Sequence, residues 1–295
     1  MANNYSSGEK IRLARQYLGL KQSDIVGGEI TRNLISAVEN NKVPLSKKTA
    51  EIVVKNINRM ASEMGKDFSI DLDYLFMDTD DYNAEKDARF IIERLEKILM
   101  REKDYTEQVE LWVKEVLIAL KNPELKQTIY VLLGKIAKLT NDYGKQYYYF
   151  NEAFNLAFIS KSFDVVLYCL EELQTICTAN KYYSDLISLN KIVVEKIDSP
   201  TRETLVNSHR NIANAYLAME QYEKAVNGIE QANVYIDDTR SQDALSNLLI
   251  LGNSYQGMKM TDEAKNYYEK VMEIASSKNY TAIYEKALAN LRTVQ

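Results

Sequence analysis

Asn207, Asn211 and Asn214 recur at helical spacing, with Arg210 among them. An Asn side chain offers both a donor and an acceptor, so a row of such amides can clamp the peptide bonds of an extended ligand. Asn is a mediocre helix former, so several inside one helix call for another reason. Other chemistry is poorly supplied. The chain has one His and two Cys in 295 residues, whereas imidazole is the commonest metal ligand and general base. Two Cys cannot build a disulfide framework and suit a reducing cytosol. No GxSxG, P-loop, HExxH or CxxC motif occurs. The expectation is a protein that binds rather than catalyses, with no cofactor and no metal.

The elements that must carry these side chains are legible in the composition. Only three Pro and ten Gly occur, well below ordinary usage, which argues for long helices with short connections. The apolar content of 46% is ample for a core, and the length suggests about two domains. No signal-like or membrane-spanning apolar run is visible, so a cytoplasmic location is expected. The net charge of −5 hides an asymmetry. Residues 1–66 carry 11 Lys/Arg against 6 Asp/Glu, and residues 67–295 carry 26 against 36. A small basic module is thus joined to a larger acidic one.

In the basic module, Ile11, Leu13, Ala14, Tyr17 and Leu18 fall at helical spacing, and Gly19 suits a left-handed helix end. A second short helix can begin near Gln22 and include Ile25 and Val26, broken by Gly27 and Gly28. Thr31 suits the N-cap of a third helix, with Leu34, Ile35 and Val38 facing inward. A fourth runs through Ile52, Val53, Ile57 and Met60. The order Ile11-Arg12, Arg15, Gly19-Leu20-Lys21-Gln22, Ile30-Thr31, Ile35-Ser36-Ala37-Val38-Glu39 resembles the phage-repressor (Cro/C1, or XRE) type of helix-turn-helix domain over roughly residues 8–76. The interval from Gln22 to Thr31 is one residue shorter than the commonest form. The resemblance implies that the helix starting at Thr31 enters the DNA major groove. Arg32, Asn33, Ser36 and Ala37 would then face the bases; Arg can pair with guanine and Asn with adenine in bidentate fashion. Gln22 would sit near a phosphate, and Lys42, Lys47 and Lys48 would supply phosphate contacts without sequence information. Arg15 and Glu39 would form a structural ion pair.

Residues 67–84 are read as an acidic linker or cap between a head, residues 1–66, and a repeat domain, residues 85–295. Asp78, Asp80 and Asp81 do not make a calcium loop, because Asn83 and Arg89 stand where the loop needs Gly and Glu. From residue 85 the chain repeats. Tyr105, Tyr143, Tyr183, Tyr222 and Thr261 mark equivalent turns at intervals of 38, 40, 39 and 39. The patterns His209-x-x-Ile212-Ala213-x-x-Tyr216 with Ala225-x-x-x-Ile229, and Leu248-x-x-Leu251-Gly252-x-x-Tyr255 with Ala264-x-x-x-Tyr268, resemble the tetratricopeptide repeat. Small residues at Gly134, Ala213 and Gly252 would let paired helices approach; Leu133, Ile212 and Leu251 would fill the space between them. Asn122-Pro123 and Ser199-Pro200 each suggest an N-cap before a Pro at the first helical position. The fold class expected is all-α: a repressor-like head, then a right-handed α-solenoid of about five helix pairs, closed by a helix near 280–293.

Such a stack curves into a groove lined by the first helix of each pair. The inward residues expected are Asn207, Arg210, Asn211 and Asn214, then Ser246, Asn253 and Gln256, and Tyr168, Glu171 and Thr175. Tyr147, Tyr148 and Tyr149 could add apolar contact. His209 reads as a packing residue. A repressor-type head joined to about five such units in a chain of this size resembles the peptide-responsive quorum-sensing regulators of Gram-positive bacteria (the Rgg, Rap, NprR, PlcR and PrgX group). That resemblance implies a homodimeric transcription factor on a palindromic operator, controlled by a short signalling peptide in the groove. The alternative is a DNA-localised adaptor whose array grips another protein. A cleft lined by Asn and Arg would favour the first, and a broad apolar patch the second.

Overall fold

The computed structural model describes residues 5–101, 104–197 and 200–294, and these contain helices and connections but no strand. Its contacts divide the chain into residues 1–136 and 137–295, within each of which packing is dense.

The first unit opens with α1 (Ser7–Leu18), a 3-10 turn (Gln22–Ile25), α2 (Arg32–Glu39), α3 (Lys47–Glu63) and α4 (Leu72–Phe76). Ile11, Ala14, Leu18, Ile35, Val38, Val53 and Ile57 form its core. Leu13 and Tyr17, at helical spacing with that core, are exposed. Tyr17 instead packs on Phe68, with the Lys66 ammonium over its ring. Ser6 and Glu9 close a reciprocal capping box at the start of α1. Gly19 ends that helix at φ +74°, the left-handed conformation that glycine adopts without penalty.

The second helix, expected to reach Val26, is a single 3-10 turn. Gly27 (φ +61°) and Gly28 (φ +81°) follow it, and Asn56 Nδ2 donates to the Ile25 carbonyl at 3.1 Å. A Cβ on Gly27 would lie 2.4 Å from the Asn56 amide. The short interval before Thr31 is thus met by trimming the second helix and pressing its exit against α3.

The acidic stretch does not behave as a bare linker over its whole length. Ile70 and Leu75 are buried in the head core, and Asn58 exchanges two hydrogen bonds with the Ile70 backbone (2.8 and 2.9 Å). Its aspartates cap helices: Asp71 accepts from Tyr74 N, and Asp78 accepts from Asp80 N at the start of α5 (Thr79–Leu99). A carboxylate in that position also meets the positive end of the helix dipole.

α5 pairs with α6 (Glu107–Ala119), and α7 (Pro123–Leu139) follows. Asn122 Oδ1 accepts from Glu124 N and Leu125 N, so Pro123 is the first helical residue, as expected. The second unit contains α8 (Tyr143–Ser160), α9 (Phe163–Ala179), α10 (Tyr183–Lys196), α11 (Arg202–Ala218), α12 (Tyr222–Asn233), α13 (Gln242–Gly257), α14 (Thr261–Ser277) and α15 (Thr281–Val294). Tyr143, Tyr183, Tyr222 and Thr261 are the first residues of α8, α10, α12 and α14, whereas Tyr105 falls two residues before α6. Within the second unit α9/α10, α11/α12 and α13/α14 follow one another as packed pairs, with α15 against α14.

At the start of α11 the expectation is corrected. Thr201 is the N-cap, accepting from Thr204 N at 3.1 Å, and Pro200 lies outside the helix. Ser199 lies outside the described residues.

Close approach of paired helices depends on missing side chains. A Cβ on Gly252 would meet the Tyr268 ring at 2.5 Å, and one on Gly228 would meet Ala213 Cβ at 3.0 Å. Leu133, Ile212 and Leu251 are buried as the pattern requires, and so is Gly134.

Candidate functional site

In the head, Thr31 Oγ1 accepts from Leu34 N at 3.2 Å and so starts α2. Arg32 and Asn33 occupy its first turn and are exposed, with no side-chain hydrogen bond among the described residues. Ser36 and Ala37, one turn on, are half-buried. Beneath them, Glu39 is 2% exposed. The Arg15 guanidinium grips it with two bonds, Nε to Oε1 at 2.7 Å and NH2 to Oε2 at 2.9 Å, while NH1 donates to the Leu20 carbonyl. This pair raises the Arg15 pKa and pins α2 to α1.

Gln22, expected beside a phosphate, donates its amide N–H to Glu39 Oε2 at 2.8 Å. The residue completes the buried carboxylate's shell, because a buried charge needs every lone pair satisfied. Lys42, Lys47 and Lys48 are exposed around Pro44 and the start of α3.

In the second unit a cleft of about 380 Å³ lies between α9 and α11, the first helices of two consecutive pairs. Leu167 and Leu170 supply apolar lining, and Glu171, Gln174, Asn207, Ser208 and Asn211 supply polar groups. Glu171, Asn207 and Asn211 were expected at such a groove. Gln174 donates to the buried Asn190 Oδ1 at 3.0 Å. Ser208 is 2% exposed. The N-cap and first turn of α11 also contribute Thr201, Glu203 and Thr204.

Other expected groove residues are engaged elsewhere. The Arg210 guanidinium donates to Asn247 Oδ1 (2.8 Å), Asn207 Oδ1 (3.2 Å) and Asp243 Oδ1 (2.8 Å), tying α11 to α13. The fully buried Asn247 passes the network on to Asn233. Asn253 Oδ1 and Gln256 Oε1 each lie 2.8 Å from the Tyr268 hydroxyl. Asn253 also accepts from Asn290, and Gln256 donates to Thr293, so both hold α14 and α15 against α13. Ser246 donates to its own helix. Tyr168 packs edge-on against Phe150 and Thr175 donates to the Glu171 carbonyl; neither lines the cleft. Asn214 is exposed outside it.

Thr204, Ser208 and Asn211 define the face of α11 that meets the cleft. It is turned by about one residue, ~100°, from the face centred on Arg210. Their i, i+4, i+7 spacing was the available signal for Ser208 and Thr204.

Nucleophile chemistry finds little support. Cys169 and Cys177 are buried thiols with no disulfide, and burial pushes the Cys177 thiol up to about 12. No group of three His, Cys, Asp or Glu side chains is placed to hold a metal among the described residues. No helix among them is long and apolar enough to cross a membrane.

These features define an all-helical protein with tetratricopeptide-like helix pairs, and the tetratricopeptide repeat model matches residues 245–278, spanning α13 and α14. No curated protein matches the chain. Among solved structures, PlcR of Bacillus thuringiensis, in complex with the peptide PapR7 and DNA, is 15% identical with a TM-score of 0.42, over 96% of this chain and 98% of that one. The SHP pheromone receptor Rgg2 of Streptococcus dysgalactiae is 13% identical with a TM-score of 0.36, over 98% and 100%. ComR from S. Thermophilus, without ligand, is 14% identical with a TM-score of 0.38, over 98% and 99%.

Proposed function

We propose that this chain is a sequence-specific DNA-binding transcription regulator whose activity is set by a short peptide held between the first helices of its repeat pairs. It acts as a homodimer on a palindromic operator, with residues 1–66 as the DNA-binding head and residues 85–295 as the peptide-holding array. The supporting observation is the first turn of α2. Arg32 and Asn33 stand exposed there, uncommitted to other side chains among the described residues, on a helix anchored through the buried Arg15–Glu39 pair. Lys42, Lys47 and Lys48 supply the phosphate attraction, and Ser36 and Ala37 complete the face toward the bases. The peptide contacts are reassigned to Glu171, Asn207 and Asn211, the three expected residues that share the α9/α11 cleft.

A ligand controls such a protein by binding one arrangement of the dimer better than another. The adaptor reading has its own support in the groove between α5 and α6, where Phe90 and Trp112 pack with ring centroids 5.3 Å apart and planes tilted by 51°, and Phe90 is 60% exposed.

The test is selection of bound duplexes from a randomised pool by the full chain, then titration of the selected site. Arg32→Ala and Asn33→Ala should each cost about 1–3 kcal/mol at that site and relax the preference at one base pair. Unchanged preference in both variants would remove α2 from recognition.

A further inference from the structure

Resting on the peptide-receptor reading, we infer that the α9/α11 cleft selects a peptide carrying a positive charge, as a Lys or Arg side chain or a free amino terminus. The residues lining the cleft include two carboxylates, Glu171 and Glu203, and no Lys or Arg. Both carboxylates are exposed, and neither forms an ion pair among the described residues.

The basic groups on neighbouring turns are already matched. Lys138 is paired with Glu172 at 2.8 Å, Arg202 with Asp237, and Arg210 with Asp243 at 2.8 Å. The amino terminus of α11 would by itself favour an anion. Its first turn carries Glu203, and Thr201 accepts from the Thr204 N–H, so that attraction is opposed and one donor is consumed.

The neutral lining explains why the ligand is a peptide and not a bare cation. Asn207, Asn211 and Gln174 bring amides, and Leu167 and Leu170 bring apolar surface. Ser208, 2% exposed, adds a hydroxyl to the lining that an occupant can bond. A peptide backbone can meet the amides and the hydroxyl while a cationic end or side chain meets the carboxylates. An acidic peptide would meet uncompensated like charge at the same rim, which costs affinity and so contributes specificity.

The experiment uses the full chain and fluorescein-labelled heptapeptide pools. Each pool has neutral residues at random and one fixed position, occupied by Lys, norleucine or Glu, and each is prepared with a free and with an acetylated amino terminus. Retention of the Lys pool should exceed that of the Glu pool by about tenfold at low salt. The gap should narrow as salt rises, because exposed charges are screened. In the Glu171→Gln/Glu203→Gln variant the difference in retention between the Lys and Glu pools should vanish. If the free amino terminus is the recognised group, acetylation alone should remove the preference; if a side chain is, the Lys-to-norleucine change should.

Binding of all pools without charge preference would overturn this inference and leave the peptide-receptor reading standing. A preference that survives in the double variant would also overturn it. Retention of no pool by the native chain would sink both.

Discussion

Glu39 is a carboxylate with almost no access to water, held by Arg15 and Gln22. Removing one side of such a pair strands the other, so Glu39→Ala should destabilise the head by about 3–5 kcal/mol in denaturant titrations. A loss under about 1 kcal/mol would mean that water reaches Arg15 freely. His209 makes a different prediction. Its ring stacks on Tyr235 with planes 12° apart, and burial lowers its pKa. The folded value therefore lies below the unfolded one, about 6.5. Stability from this group is complete above that pH and falls as pH drops from there through the folded value. Since the chain has no other His, one imidazole proton resonance reports the titration directly. His209→Phe should flatten the fall of melting temperature between pH 7 and pH 5.5; an unchanged slope would assign it to carboxylates.

At the scale of elements, the scarcity of glycine acquires a cost. Lys161, Lys181, Glu220, Lys259 and Asn279 all adopt positive φ, between +58° and +63°, at turns between successive helices. These are the places where glycine usually ends a helix, and an L side chain there is disfavoured by roughly 1–2 kcal/mol. The repeat can tolerate this because packing of the helix faces supplies most of the stability. Glycine is kept where helices must touch. Gly252→Ala should therefore displace the Tyr268 ring and cost about 1–3 kcal/mol, as overpacking does, with the loss read from thermal unfolding. A neutral effect would show that α14 can shift without penalty. Tyr268 also anchors Asn253 and Gln256, so the same variant should loosen α15.

For the whole molecule, the head core ends at Leu75, and α5 starts two residues after Met77. Deleting residues 1–76 should thus leave a folded helical protein, and a dimeric one by light scattering if the array carries the proposed dimer contact; a monomer would place that contact in the head or the linker. Much of this organisation was legible in the residues alone. The spacing of Tyr143, Tyr183, Tyr222 and Thr261 located the starts of α8, α10, α12 and α14, and Tyr105 fell two residues short of α6, because a repeated packing unit repeats its sequence demands. Gly19, Thr31 and Asn122 marked helix ends through purely local chemistry. What stayed hidden depended on partners distant along the chain. Nothing near Arg210 reveals that Asp243 and Asn247 claim its guanidinium, and nothing near Gln22 reveals Glu39. Ile70 and Leu75 look like part of an acidic connection until α3 is laid beside them. Helical periodicity names the residues that share a face, but the neighbour each face meets is set by how helices stack. The sequence by itself therefore determined the all-helical repeat. Only tertiary packing decided that α11 turns Ser208 and Asn211 toward the cleft and Arg210 toward α13.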